Sequence, residues 1–226
     1  ATPRVRQHRS LVRRRKKLQN RVTSIKNTMR GILTRYNADR TDLFSQVGWQ
    51  AVKQLDLLDE ERWILFDLHE DLEQTMARRD RVEDRLKRFA LKATIKEREA
   101  RAVLATLPGV GFVTIETILA ELGDWERFRG ADAVVAFAGL DPGVRESDGK
   151  RKDLKLSKSG SRLLRWIMIQ LAHRVKRKIP RWKSIFERLS ARCGKKKATC
   201  AIARRLLLVI YAMLRDGQAY RFPAAA

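Results

Sequence analysis

Two cysteines, three histidines and 26 acidic residues are few for a chain of 226 residues that carries 50 Lys plus Arg. Cys193 and Cys200 lie seven positions apart in a helical pattern, about 10 Å along a helix at roughly 1.5 Å per residue, too far for a disulfide. A zinc site would need more neighbouring ligands than His173 supplies, so the thiols read as buried and reduced, and no metal site is expected in this chain. No stretch reaches 18 uncharged apolar residues, and the Arg-rich start lacks the apolar core and cleavage site of a secretory signal. On that ground neither a membrane span nor secretion is expected, and a cytoplasmic location is. The shortage of acids leaves a formal net charge of +24, which points to a polyanionic partner, nucleic acid ahead of an anionic membrane surface.

The apolar residues Leu11, Leu18, Val22, Ile25, Met29, Ile32 and Tyr36 recur by three and four after the first heptad, the spacing of a coiled-coil seam. A second seam runs through Leu58, Leu65, Leu68, Leu72, Thr75, Arg79, Val82, Leu86, Phe89 and Ala93, with Thr75 and Arg79 interrupting its middle. Residues 37–57 between them carry Asn, Asp and Gly, and a cap signal at Thr41-Asp42, so they read as an irregular elbow joining two long antiparallel helices. Such a hairpin is a spacer or a dimerisation arm, and a homodimer or tetramer through it is expected. Its first helix holds Arg4, Arg6, Arg9, Arg13, Arg14, Arg15, Lys16, Lys17 and Arg21 without one acid between them, either a phosphate-binding run or a solvated face.

From Leu107 onward the helical stretches shorten and Gly and Pro separate them. The expected class is all-α: a coiled-coil hairpin over 1–100, then a compact helical domain over 101–222. In LPGVG (107–111), Pro108 stops a helix, Gly109 and Gly111 allow a tight corner, and Val113 to Leu122 starts the next helix. The corner resembles a helix-hairpin-helix, whose exposed N–H groups at a helix N-terminus sit on a nucleic-acid phosphate. The alternative is a corner that only lets Ile115, Ile118, Leu119 and Leu122 reach the core. A helix from Ala131 to Ala138 ends at Gly139, and a polar loop of about eighteen residues follows; loops of that length are usually functional or disordered. It contains Ser147, then Lys150, Arg151 and Lys152, and ends in Ser157-Lys158-Ser159-Gly160-Ser161-Arg162, where the serines read as caps of a helix to Lys178. Arg162 and Arg165, on one face of that helix, are either phosphate ligands or a solvated stripe. Further helices are expected from Pro180 and over Ala198–Leu214, with Cys193–Lys197 as the turn between them.

The succession L-P-G-V-G, A-E-L-G-D-x-x-R-F, A-F-A-G-L-x-P, S-x-G-K and S-K-x-G-x-R-x-L-R resembles the C-terminal half of the insertion-sequence-110-type DEDD transposases, relatives of a pilin-gene invertase. The resemblance is tight over 107–178, and the upstream helices look like the coiled coil that precedes this half. It implies an N-terminal RuvC-like domain with four acidic ligands for a divalent metal (Mg), a noncoding bridge RNA, DNA as substrate, and a bacterial or archaeal, nucleoid-associated setting. Nothing in this chain matches the RuvC-like domain, and the start at Ala1-Thr2-Pro3 and the alanine-rich end fit a fragment. By spacing, the family's nucleophilic serine falls on Ser147, although Glu146 and Asp148 depart from the usual Ser-Ser-Gly-Gly-Lys context. The implied chemistry is serine recombination through a phosphoserine–DNA link, with Gly109, Gly111, Lys150, Arg151, Lys152, Lys158, Arg162 and Arg165 as nucleic-acid contacts. The isolated chain is expected to be inactive. Two rival functions stand beside this one: a non-catalytic helix-hairpin-helix binding and dimerisation module, and a structural oligomerisation module.

Overall fold

A computed structural model describes residues 1–147, 150–157 and 159–221, with the backbone alone for 142–147 and 150–156. Nine α-helices among the described residues bear out the all-α expectation. The chain divides into two compact units, residues 13–90, and residues 1–12 together with 91–226. The second unit therefore gathers the start of the first helix as well as the C-terminal half, which a division at residue 100 does not capture.

Helix α1 (Pro3–Arg35) opens on a proline, whose fixed φ suits the first helical position. Helix α3 (Asp59–Leu91) opens on Asp59, Glu60 and Glu61, acids that complement the positive end of the helix dipole. Within unit 13–90 the two run antiparallel, as the pairs Arg15–Glu83, Arg21–Asp71 and Arg35–Glu61 require. Val22, Ile25, Met29, Leu33, Leu65 and Leu72 form the seam core. The interruption of the second stripe is met by polar pairing: Thr75 is fully buried and donates to Asp71 Oδ1 at 3.2 Å, and Arg79 reaches Gln19 at 3.3 Å. Leu58 departs from its expected place, being 71% exposed one residue before α3 begins. The elbow contains a helix, α2 (Gln46–Lys53), whose cap is Ser45 in place of Thr41-Asp42, with Ser45 Oγ accepting from Gly48 N at 3.0 Å. Trp49 of α2 stacks on His69 at 3.9 Å and fills the elbow from inside.

The other unit is built on α9 (Lys195–Asp216), which packs against α4 (Ile95–Ala105), α6 (Ala131–Ala138), α7 (Arg162–Lys178) and α8 (Pro180–Cys193). Ala198, Ile202, Ala203, Leu206, Leu207 and Ile210 of α9 are fully buried, more sides than a surface helix hides, which is why its apolar run is so dense. The expected five-residue turn before α9 shrinks to Gly194, so Lys195, Lys196 and Lys197 become the first turn of the helix. Helix α5 (Phe112–Leu122) is buried from Thr114 to Leu122, carboxylates included. Where a loop was expected after α6, the backbone forms an antiparallel pair, β1 (Pro142–Ser147) and β2 (Lys150–Leu156). The charged, loop-like composition of this segment hid the strands, since only Val144, Leu154 and Leu156 interrupt it with strand-favouring or large apolar residues.

Candidate nucleic-acid interface

The glycine corner joins α4 to α5 and rests on α7. Gly109 has φ +89°, a conformation L side chains resist, and a Cβ there would stand 3.5 Å from Arg174 Cβ and 3.9 Å from Lys178 Cδ. Arg174 also donates to Thr114 Oγ1 at 3.3 Å, tying the first turn of α5 to the same helix. Gly111 caps α5 with extended backbone and no side-chain hydrogen bond, and its carbonyl accepts from Thr114 and Ile115. Nothing lies within 4 Å of where a Gly111 Cβ would point. The corner thus offers an uncovered helix N-terminus beside two cations, Arg174 and Lys178, that the sequence reading had not singled out. Within a basic run their positions one turn apart are legible; that the corner lands on them is not.

Positive charge is concentrated along the end of α7. Burial lowers the pKa of Lys176, and Arg177 and Lys195 lower it further; burial and then Lys176 and Arg177 do the same to exposed His173. Lys176 lies 3.7 Å over the Phe186 ring and donates to Thr199 Oγ1 at 3.2 Å, so it is spent on packing.

Other cations read as candidate phosphate ligands turn out to have work inside the fold. Arg165 donates to the Ala138 carbonyl at 3.1 Å, satisfying the C-terminus of α6, whereas Arg162 is exposed. Arg9 donates to the Ala120 and Glu121 carbonyls at 3.2 Å each, capping α5, and Arg4 pairs with Glu97. Arg15 and Arg21 pair with Glu83 and Asp71 in the other unit. The basic run of α1 is thus neither wholly a phosphate-binding face nor wholly solvated; Arg6, Arg14 and Lys17 remain exposed.

The strand pair that carries Ser147 is anchored at its base. Ser157 N donates to Asp141 O at 3.1 Å and Ser157 Oγ to Asp141 Oδ1 at 2.6 Å, closing the two ends together. Beyond it, Gly160 has φ +87°, and a Cβ there would stand 2.2 Å from Phe137 O, so the chain passes α6 where only glycine fits. Ser161 N donates to that same carbonyl. Of the three serines expected as caps, only Ser161 acts as one: its Oγ accepts from Leu164 N at 3.1 Å and donates to buried Glu121 Oε2 at 2.7 Å. Ser159 bonds Ser157 instead.

Ser147 ends β1 with Lys150 as its cross-strand partner, and Arg145 is paired with Lys152. By the period of a strand those four positions share one face, while Glu146 and Arg151 share the other. Of the three cations expected beside the serine, Lys150 and Lys152 thus occupy its face and Arg151 does not. The side chains of 142–156, and Lys158 altogether, lie outside the described residues. Among the described residues no three His, Cys, Asp or Glu gather as a metal ion needs, and no helix is long and apolar enough to cross a membrane.

Residues 101–187 match the model of the Transposase IS116/IS110/IS902 family. Over 135 residues the chain is 32% identical to the transposase for insertion sequence element IS1111A of Coxiella burnetii, covering 58% of this chain and 37% of that protein. It is 31% identical over 138 residues to an insertion element IS110 uncharacterized 43.6 kDa protein of Streptomyces coelicolor, covering 59% and 34%. It is also 30% identical over 122 residues to the pilin gene-inverting protein of Moraxella bovis, covering 53% and 38%. The matches thus extend over little more than a third of these relatives' length, and they support the IS110 transposase family for the matched segment.

Proposed function

We propose that this chain is the DNA-holding and nucleophile-bearing part of an insertion-sequence transposase or recombinase. The observation that carries the reading is the match of residues 101–187 to a transposase family, joined by relatives named for transposition and for pilin-gene inversion. The basic excess and the uncovered N-terminus of α5 beside Arg174 and Lys178 support a phosphodiester backbone as the ligand. Such contacts position a duplex without reading its bases. Gly109, Gly111, Lys150, Lys152 and Arg162 are its proposed contacts. Arg151, Lys158 and Arg165 stand as weaker members, the first on the far face, the second outside the described residues and the third engaged by Ala138.

In the proposed reaction Ser147 Oγ attacks a DNA phosphorus. One P–O bond to serine forms as one P–O bond to a deoxyribose oxygen breaks, and that oxygen takes up the proton the serine gives up. Reversal with a different DNA hydroxyl rejoins the strand, with the number of phosphoester bonds conserved throughout. Lys150 and Lys152, on the serine's face, are suited to the negative charge of the transition state. Among the described residues no three His, Cys, Asp or Glu side chains gather to hold a divalent ion. Mg and the RuvC-like acids are proposed to belong to a domain outside this chain, and a bridge RNA to select the target, in a bacterial or archaeal nucleoid.

The test is a recombination assay in the longer protein with its guide RNA and DNA substrates. Ser147→Ala should abolish strand joining and leave DNA binding within about threefold, because removing a nucleophile need not disturb phosphate contacts. Retained joining would refute the assignment. Equal loss of binding would shift Ser147 to a structural role.

A further inference from the structure

The strand pair that carries Ser147 runs in two registers. At its base Pro142 faces Leu156, while beyond it the pairs are Val144 with Asp153, Arg145 with Lys152, Glu146 with Arg151 and Ser147 with Lys150. Two steps along β1 thus answer three along β2, so β2 holds an extra residue between Asp153 and Leu156, a bulge that bends the pair and re-aims what lies beyond it. With Val144, Leu154 and Leu156 as its few large apolar residues, the pair specifies its register weakly, and a bulge near its open end can leave by a one-residue slip of β2. The residues just below the base close that exit. Asp141 and Ser157 continue the base register, with Ser157 N donating to the Asp141 carbonyl at 3.1 Å and Ser157 Oγ to Asp141 Oδ1 at 2.6 Å. Ser159 Oγ donates to Ser157 Oγ at 3.2 Å, which fills the acceptor side of Ser157 and directs its proton to the carboxylate. On either side the chain is fastened to the helices: the Gly139 and Leu140 N–H groups bond carbonyls of α6, and Ser161 donates to the Phe137 carbonyl through its N–H and to Glu121 through its hydroxyl.

We propose that Asp141 is a positioning residue for Ser147, acting through Ser157 to pin the bulge and with it the direction in which the strand pair holds the nucleophile. The inference rests on the reading of Ser147 as the reacting serine. Leverage makes a small shift at the base matter. Six residues at about 3.3 Å each place Ser147 up to about 20 Å from Asp141, so a tilt of about 5° at the base moves it by about 1.7 Å. A misplacement of about 1 Å costs on the order of 10²-fold in rate. The same bond matters little to the fold as a whole, because Ser157 is exposed and its backbone bond to Asp141 does not depend on either side chain. Ser161 differs in this respect, since its hydroxyl satisfies a buried carboxylate.

The experiment is single-turnover adduct formation by the longer protein with its guide RNA and labelled DNA. Asp141→Ala and Ser157→Ala should each slow the adduct by about tenfold to hundredfold at saturating DNA, with the Kd for DNA within about threefold and the melting temperature unchanged. The double variant should be no slower than either single one, because both remove the same bond. Asp141→Asn keeps an Oδ1 acceptor for Ser157 and should return the rate to within about threefold of the parent, which it would not do if the carboxylate's charge were needed. In the 226-residue chain, hydrogen exchange over 150–156 should quicken in Asp141→Ala and recover in Asp141→Asn. Ser147→Ala is the control for the underlying reading: an adduct that survives it removes Ser147 from the reaction, and the proposal with it. Where Ser147→Ala abolishes the adduct, the role of Asp141 alone is overturned by a parent-like rate in Asp141→Ala, an additive double variant, a slow Asp141→Asn, unchanged exchange, or a fall in affinity or melting temperature that accounts for the slowing.

Discussion

Arg101 grips both carboxylate oxygens of Glu116, at 2.6 and 2.9 Å, on a face of α5 that solvent does not reach. His8 Nε2 stands 2.8 Å from the same carboxylate, and Arg101 bonds the Glu97 carbonyl, so the start of α1 is tied to α4 and α5 through one charged cluster. Burial pushes the Glu116 carboxyl up, but the hydrogen bonds from His8 and Arg101 outweigh it and hold the group below its ordinary 4.5. Arg101→Ala would strand that charge and should cost about 3–5 kcal/mol in urea unfolding. A lowered folded pKa adds stability that is present above pH 4.5 and is lost as pH falls through the folded value. The parent should therefore weaken with acid below that pH, and Glu116→Gln should be less stable at neutrality but flatter in the acid limb. Parallel acid limbs would remove Glu116 from the account.

The division of labour at the glycine corner gives a second test. Gly109→Ala forces a side chain into φ +89° and should lose about 1–2 kcal/mol. Gly111→Asp has open space and should supply the cap that α5 lacks, holding or raising the melting temperature. It also sets a negative charge where a phosphate would sit, so DNA affinity should fall while stability does not. Unchanged affinity would leave the corner a purely structural turn.

The two helical seams, the capped helix from Arg162 to Lys178 and the left-handed stop at Gly139 were legible because periodicity and caps are local signals. Partnership across the chain was not. That Arg165 closes α6, that Arg9 caps α5 and that Arg174 underlies Gly109 depend on packing, and in the sequence each is one more cation among fifty. The expected turn over Cys193–Lys197 gives way to helix from Lys195: three lysines at a helix N-terminus oppose its dipole, and burial of the rest of α9 overrides that local cost. The strand pair at 142–156 was missed because few of its residues are apolar enough to mark a strand.

Ser161 provides the contrast by which a structural serine is told from a reacting one. Ser161→Ala removes a cap and the bond to Glu121, leaving a buried carboxylate short of a donor, and should destabilise by about 1–3 kcal/mol in thermal or urea unfolding. Ser147→Ala should leave stability unchanged within about 0.5 kcal/mol. A stable Ser161→Ala protein would mean that α7 is held without its cap.

Arg174 and Lys178 should count in the salt dependence of duplex binding. For a chain contacting six to ten phosphates, affinity should drop by roughly 10³ to 10⁵ between 50 and 200 mM salt. Arg174→Ala with Lys178→Ala should lower the logarithmic slope by about two, whatever the DNA sequence. An unaltered slope would place the duplex on another face.

The nucleophile is tested most directly by locating the covalent bond. In the longer protein with its guide and a labelled DNA substrate, the trapped adduct can be digested with trypsin, which cuts after Arg145 and after Lys150. The nucleotide phosphate should be recovered on the peptide Glu146–Lys150, attached to Ser147, and Ser147→Ala should yield no adduct. A phosphate on Ser157, Ser159 or Ser161, or an adduct that survives Ser147→Ala, would contradict it.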